Sequence, residues 1–534
     1  MKQLLTIALA FVVSFAKAQN PYLPLWEFIP DGEPYVFEDP DNPGKYRVYI
    51  YGSHDMLEKY YCGKDLVTWS APVEDLSKWR YDGVIFESKT DAKGKPLFKD
   101  GERDVLYAPD VLETKDAAGK KVYYLYPNVQ SDERGNLVAK SSRPDGPFVT
   151  CNWSKDDPRK TVGPFRFDPA AFVDDDGRAY GYWGFNNSCA AELDPTTMAT
   201  VKPGTSVVED MIPGRKQDQT FRFFEASSIR KIKDKYVFIY SRWTNEGEFG
   251  LPQTNYTLAY CYSNNPLGPW TYGGTIIDGR GRETRKDGTV VPTAAPSGNT
   301  HGSICEINGK WWVFYHRQAD TTEYSRQAMV APITVEVQEG KDGYVRISEA
   351  EFTSEGFMTE GLDPLRMYPA GIACYFTGPT PAYQVYPSII YSGSHTRIYR
   401  GQYDVKSGAD PYDKRFNRCS MVNNTSGSVF GYKYFNFSKT YGKDGIQLCL
   451  SYIPEGTAGT IDIFLDRPTE KDGGVKLATY NVPAEKSDKV RTVNIPLENL
   501  KYYNGKHAIF LTFSSPTKER SICQVEEIGF KPHP

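Results

Sequence analysis

Five ionisable residues, Glu33, Asp110, Asp168, Glu225 and His301, stand at the heads of five similar segments of the chain. If those heads converge, four carboxyls and an imidazole share one small volume. Like charges crowded away from water raise the pKa of at least one member. One carboxyl then keeps its proton near neutral pH beside another that has lost it. Such a pair suits general-acid protonation of a leaving oxygen, with the ionised partner activating water or attacking directly. Hydrolysis of glycosidic bonds asks for this division of labour. Glu225 is the strongest single candidate for the acid, because Phe221, Phe223 and Phe224 give it apolar surroundings. By contrast, Asp174, Asp175 and Asp176 read as turn residues of a hairpin.

Each ionisable residue opens a short strand, followed by a polar turn and a second strand rich in aromatic residues. The second strands are Tyr46-Arg-Val-Tyr-Ile-Tyr, Val122-Tyr-Tyr-Leu-Tyr, Ala179-Tyr-Gly-Tyr-Trp, Tyr236-Val-Phe-Ile-Tyr and Trp311-Trp-Val-Phe-Tyr. The copies recur every roughly 57 to 77 residues, room for four strands and a long loop each. Five such units closing around an axis predict an all-β, five-bladed β-propeller over residues 19–365, with the five heads around the channel mouth. Residues 367–387, rich in Pro, Gly and Tyr, read as the join to a second domain. Alternating strands after residue 429 predict a β-sandwich or jelly roll, so the second domain is placed at 366–534.

Composition narrows the partners. Lys+Arg 63 against Asp+Glu 67 leaves a formal net charge of -4, with no basic run to neutralise phosphates, so nucleic acid is not expected. The nine cysteines are scattered without C-x-x-C spacing, and the six histidines form no H-E-x-x-H motif. Neither a zinc hydrolase nor a disulfide framework is expected. Lys2, an apolar run over residues 4–15 and Ala16-Lys17-Ala18 form a secretory signal pattern. The mature chain is expected to begin near Gln19, outside the cytoplasm or in the periplasm, as a monomer without a membrane span.

At the ionisable heads the chain resembles glycoside hydrolase family 43. Tyr107-Ala-Pro-Asp110-Val is similar to the family's Ala-Pro-Asp segment, and Phe223-Phe-Glu225-Ala-Ser-Ser-Ile to the segment carrying its general acid. Asn299-Thr-His301-Gly-Ser is similar to the last-blade segment whose His lies beneath the pocket near a cation or water. Asp168-Pro-Ala-Ala-Phe is similar to its middle-blade hairpin. The resemblance implies inverting hydrolysis with Glu225 as acid, Asp110 as the residue tuning it, and a first-blade base. That base is usually the Asp of an Asp-Pro pair. Here the register presents Glu33-Pro34, with Asp31 the alternative.

The resemblance further implies substrate contacts at His54, Asp168, Trp243, His301 and Arg317. A metal is implied at His301, with Ca²⁺ there or in the C-terminal domain, although the chemistry itself requires no cofactor. Terminal α-L-arabinofuranosyl or β-D-xylosyl units are the implied substrates, with galactosyl linkages as the outlier. Other readings are a non-catalytic sugar-binding propeller and a retaining or phosphorolytic enzyme. The tail resembles a family 6 carbohydrate-binding module, in which Tyr432, Tyr502 or Tyr503 would stack on sugar faces.

Overall fold

The computed structural model describes residues 18–56, 60–296, 298–380, 382–386, 388–390, 396–399, 418–437 and 445–533. The export-signal pattern lies outside the described residues except for Ala18. Among the described residues the helical segments are three short 3₁₀ turns, and no helix is long and apolar enough to cross a membrane. The fold is a β-propeller followed by a β-sandwich.

Five antiparallel sheets follow one another along the chain, each running from its first strand outward. Their first strands are Glu33–Glu38, Leu106–Lys115, Ala170–Val173, Phe223–Ile232 and Ser303–Ile307. The predicted aromatic runs form the second strand of each sheet: Tyr46–Tyr51, Lys121–Val129, Ala179–Gly184, Lys235–Arg242 and Lys310–Gln318. These strands are apolar on both faces because each sheet is sandwiched between two others. Along Tyr46–Tyr51, alternate side chains serve opposite interfaces. Tyr49 and Tyr51 pack with Val111, Tyr123 and Leu125 of the second sheet. Val48 and Ile50 pack with Trp312, Phe314 and Val330 of the fifth.

Separate apolar clusters join the second sheet to the third, the third to the fourth, and the fourth to the fifth. The interface between fifth and first completes a closed circle. Closure is reinforced by a parallel bridge between Gly32 and Gly302. The segment after Ala18 lies along the outer strand of the fifth sheet: the Tyr22 amide donates to the Ala328 carbonyl, and Asn20 exchanges hydrogen bonds with Val330.

The sandwich consists of a sheet containing Ser420–Asn424, Cys523–Pro532, Ile446–Pro454 and Arg491–Pro496, and a second containing Tyr375–Thr377, Val429–Asn436, Lys506–Ser514, Gly459–Leu465 and Val475–Val482. Its interior is continuous with the apolar packing of the fourth and fifth propeller sheets. Tyr432, expected as an exposed stacking ring, is buried and donates to the Ala370 carbonyl at 2.9 Å. It occupies an inward position of its strand. Tyr502 is exposed, at 72%.

Arg317, expected to touch substrate, instead joins the two parts of the molecule. Its buried guanidinium donates to Gln327 Oε1 and to the carbonyls of Ala373 and Gly371. Replacing Arg317 with Ala strands these acceptors away from water, a loss of about 2–4 kcal/mol. Thermal unfolding should shift down accordingly, whereas KM at 25 °C should stay near wild type. A substrate contact would have produced the reverse. All nine cysteines are free thiols, seven of them buried.

Candidate active site

A cavity of about 430 Å³ opens where the first strands begin, within the usual range for small-molecule sites. Asp31, Asp168, Glu225, His301, Glu323 and Arg326 line it, with Phe167, Phe185 and Phe224 forming an apolar wall. Glu33 and Asp110 are not among the lining residues, so the expectation that they face the pocket is corrected.

The reason lies in the depth of each side chain along the axis. Asp31, Asp168 and His301 each precede the first residue of their strand by two positions, at Glu33, Ala170 and Ser303. They therefore sit at the mouth. Asp31 and Asp168 also share a left-handed backbone, with φ of 60° and 46°, a conformation Asp tolerates better than most residues. Glu33 and Asp110 lie within their strands, further down the axis. Glu225 is also within its strand, but register shifts on both sides of it, next to Ala226 at φ 70°, mark a bulge that re-aims its side chain. The shared proline after Glu33 and Asp168 was a misleading alignment. Distance from the strand start is the equivalent feature.

Asp31 is held as a carboxylate. Arg326 Nη1 donates to both of its oxygens, at 3.0 and 3.2 Å, and Ser53 donates at 2.6 Å. Burial works against the charge, but Arg326, His316 and Ser53 outweigh it and hold the group below the usual carboxylate range. Arg326 also pairs with Asp55 and lies 4.9 Å over the Tyr61 ring. No short motif marked Arg326 in the sequence. Its place opposite Asp31 is created by ring closure.

Glu225 is the electrostatic opposite. It is 6% exposed and has no protein hydrogen-bond partner among the described residues. Burial, then the charges of Asp168 and Asp31, push its carboxyl well above the usual range. Asp168 is pushed up to about 8 by burial and by Asp31. Asp168 Oδ2 accepts from the amide of Ala226, the residue after Glu225, at 3.1 Å, and Oδ1 accepts from Asn128 at 3.2 Å. It thereby fixes the bulge that presents Glu225.

Beneath the cavity, Glu33 pairs with Arg230 at 2.8 Å and accepts from Ser228 at 3.2 Å. Arg230 lies 4.4 Å over the ring of Tyr35, whose hydroxyl donates to Asp110 at 2.7 Å. Asp110 also accepts from the amides of Val111 and Ala171. These buried polar groups tie the first, second, third and fourth sheets together around the axis. His301 lies between the two levels, 3.7 Å from Asp168 and 3.8 Å from Glu33. Burial keeps it neutral, with its pKa down at about 4.

Glu33 Oε1 and His301 Nε2 are both buried without a hydrogen-bond partner, the kind of pair an internal water satisfies. A resident metal fits this place less well. Arg230 already supplies the positive charge to Glu33, and among the described residues no group of three or more His, Cys, Asp or Glu is arranged to hold a metal.

His54 and Trp243 lie outside the lining. His54 is clasped between Asp65 at 2.7 Å and Glu27 at 3.2 Å, which raise it to about 10 against the effect of burial. Trp243 stands behind the wall, edge to face with Phe224 at 5.4 Å and under Arg215 at 4.2 Å.

The family model for glycosyl hydrolases family 43 matches residues 38–339, more than half of the chain. The protein belongs to this family. It is a glycoside hydrolase. A relative named xylosidase/arabinosidase from Thermoclostridium stercorarium is 31% identical over 524 residues, covering 94% of this chain and 98% of its own. Xylosidase/arabinosidase 43A from Humicola insolens is 32% identical over 251 residues, covering 40% of this chain and 65% of its own. Among solved structures, a family 43 arabinoxylan arabinofuranohydrolase from Bacillus subtilis, in complex with cellotetraose, covers 96% of this chain and 97% of its own at 18% identity and a TM-score of 0.43.

Proposed function

We propose that the enzyme hydrolyses β-D-xylosyl or α-L-arabinofuranosyl linkages of plant-type polysaccharides with inversion, using Glu225 as general acid and Asp31 as general base. The observation that carries this reading is the presence, in one cavity, of a carboxylate clamped by Arg326 and a carboxyl that burial and neighbouring charge keep protonated. Glu225 donates its proton to the glycosidic oxygen as the bond to the leaving sugar breaks. Asp31 takes a proton from water as that water attacks the anomeric carbon from the other face. Asp168 acts as a positioning residue through the Ala226 amide, and the like-charge crowding between it and Glu225 helps keep a proton on the pair. Glu33 and Asp110 replace none of these roles, because their carboxyls lie below the cavity and do not line it. The names of the relatives support the choice of sugar.

The working pH range follows from the two shifts. Activity needs Asp31 ionised, so it falls as pH drops toward the depressed pKa of that group. It also needs Glu225 protonated, so it falls again as pH rises through the elevated one. A pH profile of kcat/KM should be bell-shaped, with its acid limb below the ordinary carboxylate range. A panel of xylosides, arabinofuranosides and galactosides tests the sugar, and NMR of the first-formed anomer tests inversion. Retention, phosphate dependence, or release of galactose alone would reject the corresponding part of this reading.

We also propose residues 1–18 as a cleaved export signal, placing the mature monomer in the periplasm or outside the cell. The domain division at 365/366 is proposed with it. A sugar-binding role for the sandwich is kept as a proposal for its exposed Tyr502 face, and a Ca²⁺ site in that domain for titration with the ion.

A further inference from the structure

The fifth propeller sheet carries a loop, residues 319–325, between its strands Lys310–Gln318 and Arg326–Ile333. The Ala319 amide closes this loop by donating to the Ser325 carbonyl at 3.1 Å. Residues from beyond the propeller hold it. Arg397 pairs with Asp320 at 2.7 Å, the Asp320 amide donates to the Ile398 carbonyl at 3.0 Å, and the Ile389 amide donates to the Thr321 carbonyl at 2.7 Å. The strand Arg397–Tyr399 is itself paired with the sandwich strand Ser420–Asn424. A loop fixed at so many points presents its side chains in set positions.

That loop presents Glu323 to the cavity, where the residue is 3% exposed. Its carboxyl has no hydrogen-bond or ion-pair partner among the described residues. Arg326, at the end of the same loop, has no donor left for it. Nη1 serves both oxygens of Asp31, Nε and Nη2 serve Asp55, and Nη2 also reaches Cys62 Sγ at 3.4 Å. Burial pushes the Glu323 carboxyl up to about 7 against the charge of Arg326. A buried carboxyl without a partner weakens the fold, and one that lines a cavity is completed by whatever fills it. Asp31 and Glu225 line the same cavity, so the sugar on which they act lies there too. A sugar offers hydroxyl donors, which are the partners a carboxyl oxygen takes.

We infer that Glu323 determines specificity by accepting a hydrogen bond from one hydroxyl of the bound substrate, and that the sandwich domain holds it in place through Arg397 and Asp320. This rests on the proposed reaction at Asp31 and Glu225. It gives the second domain a part in substrate choice that needs no sugar-binding surface of its own.

The test uses the full-length enzyme, a xylosyl or arabinofuranosyl disaccharide that it cleaves, and the analogues of that disaccharide each lacking one hydroxyl. Glu323→Leu should lower kcat/KM on the parent about 10–100-fold, the scale of a hydrogen bond to a charged group. On the analogue without the contacted hydroxyl the wild type should already be slow, and Glu323→Leu should cost nothing more. Glu323→Gln keeps an acceptor and should retain most of the rate. Because Glu323→Leu removes an unpaired buried carboxyl, its melting temperature should equal or exceed that of wild type, which the loss of a merely structural side chain would not produce. Arg397→Ala should give a smaller loss on the parent, restored by Arg397→Lys and absent in the Glu323→Leu background. Losses of equal size on every analogue, an undiminished rate on the parent, or a lowered melting temperature for Glu323→Leu would each overturn the inference and leave the proposed function intact. An Arg397→Ala loss that persists in the Glu323→Leu background, or no loss at all, would overturn the part given to the sandwich. A wild type that cleaves no such disaccharide would instead reject the proposed function, and this inference with it.

Discussion

Glu225→Gln should lower kcat/KM on unactivated oligosaccharides by about 10³–10⁴-fold, near the upper end of what one proton-transfer group contributes. That corresponds to about 4–5.5 kcal/mol of transition-state stabilisation. The amide keeps the size of the side chain and the fit of the Phe224 wall but has no proton to give. The loss should shrink on a 2,4-dinitrophenyl glycoside, whose leaving group departs without protonation. The alkaline limb of the pH profile should also disappear. Steady-state kinetics on the two substrate classes checks this, and an equal loss on both would show that Glu225 does not act as the acid. A second consequence concerns stability. A group whose folded pKa is raised contributes stability below its unfolded pKa and loses it as pH rises through the folded value. Relieved of the need to ionise in a buried site, Glu225→Gln should outlast the wild type in alkaline thermal unfolding.

Asp31→Asn should be as damaging, about 10³–10⁴-fold in kcat/KM, but with a different signature. Leaving-group ability should not rescue it, because the missing function is the removal of a proton from water. Asp31 is a depressed carboxylate, so its stabilising contribution is present above the unfolded pKa and is lost as pH falls through the folded one. The Asn variant should therefore be less stable than wild type at neutral pH and approach it in acid. Glu33→Gln is the informative comparison. It breaks the pair with Arg230 and should cost stability, since a buried charge is left without its partner. Activity should nevertheless remain within about tenfold of wild type in folded protein. If Glu33→Gln abolishes turnover and Asp31→Asn does not, the assignment of the base is wrong.

The strand repeats were legible in the sequence because local patterning creates them. The aromatic runs at residues 46–51, 122–126, 179–183, 236–240 and 311–315 fall on second strands of the five sheets. Their two apolar faces are the signature of a sheet packed on both sides. Depth along the axis was not legible. Glu33 and Asp31 differ by one full repeat of strand alternation, so pattern alone assigns both to the same side. What separates them is where the strand begins and the left-handed turn at Asp31. Arg326 and Glu323 were missed for another reason, since each gains its meaning from partners far away in the chain. The strands Tyr383–Val385 and Ser388–Ile390, of which Gln384 helps line the cavity, were hidden at the end of a stretch, residues 367–387, whose Pro, Gly and Tyr suit a linker as well as a cavity wall.

Asp31 and Arg326 meet across 295 positions of sequence, at the seam where the last sheet docks on the first. No shorter nascent chain contains both halves of this ion pair. Intermediates lacking the fifth sheet hold Asp31 without its guanidinium, so its ionised form is unsupported until the circle is complete. Catalytic competence is in this sense a late event of synthesis, and proteolytic clipping ahead of Arg326 should silence the enzyme even where most of its β-structure persists.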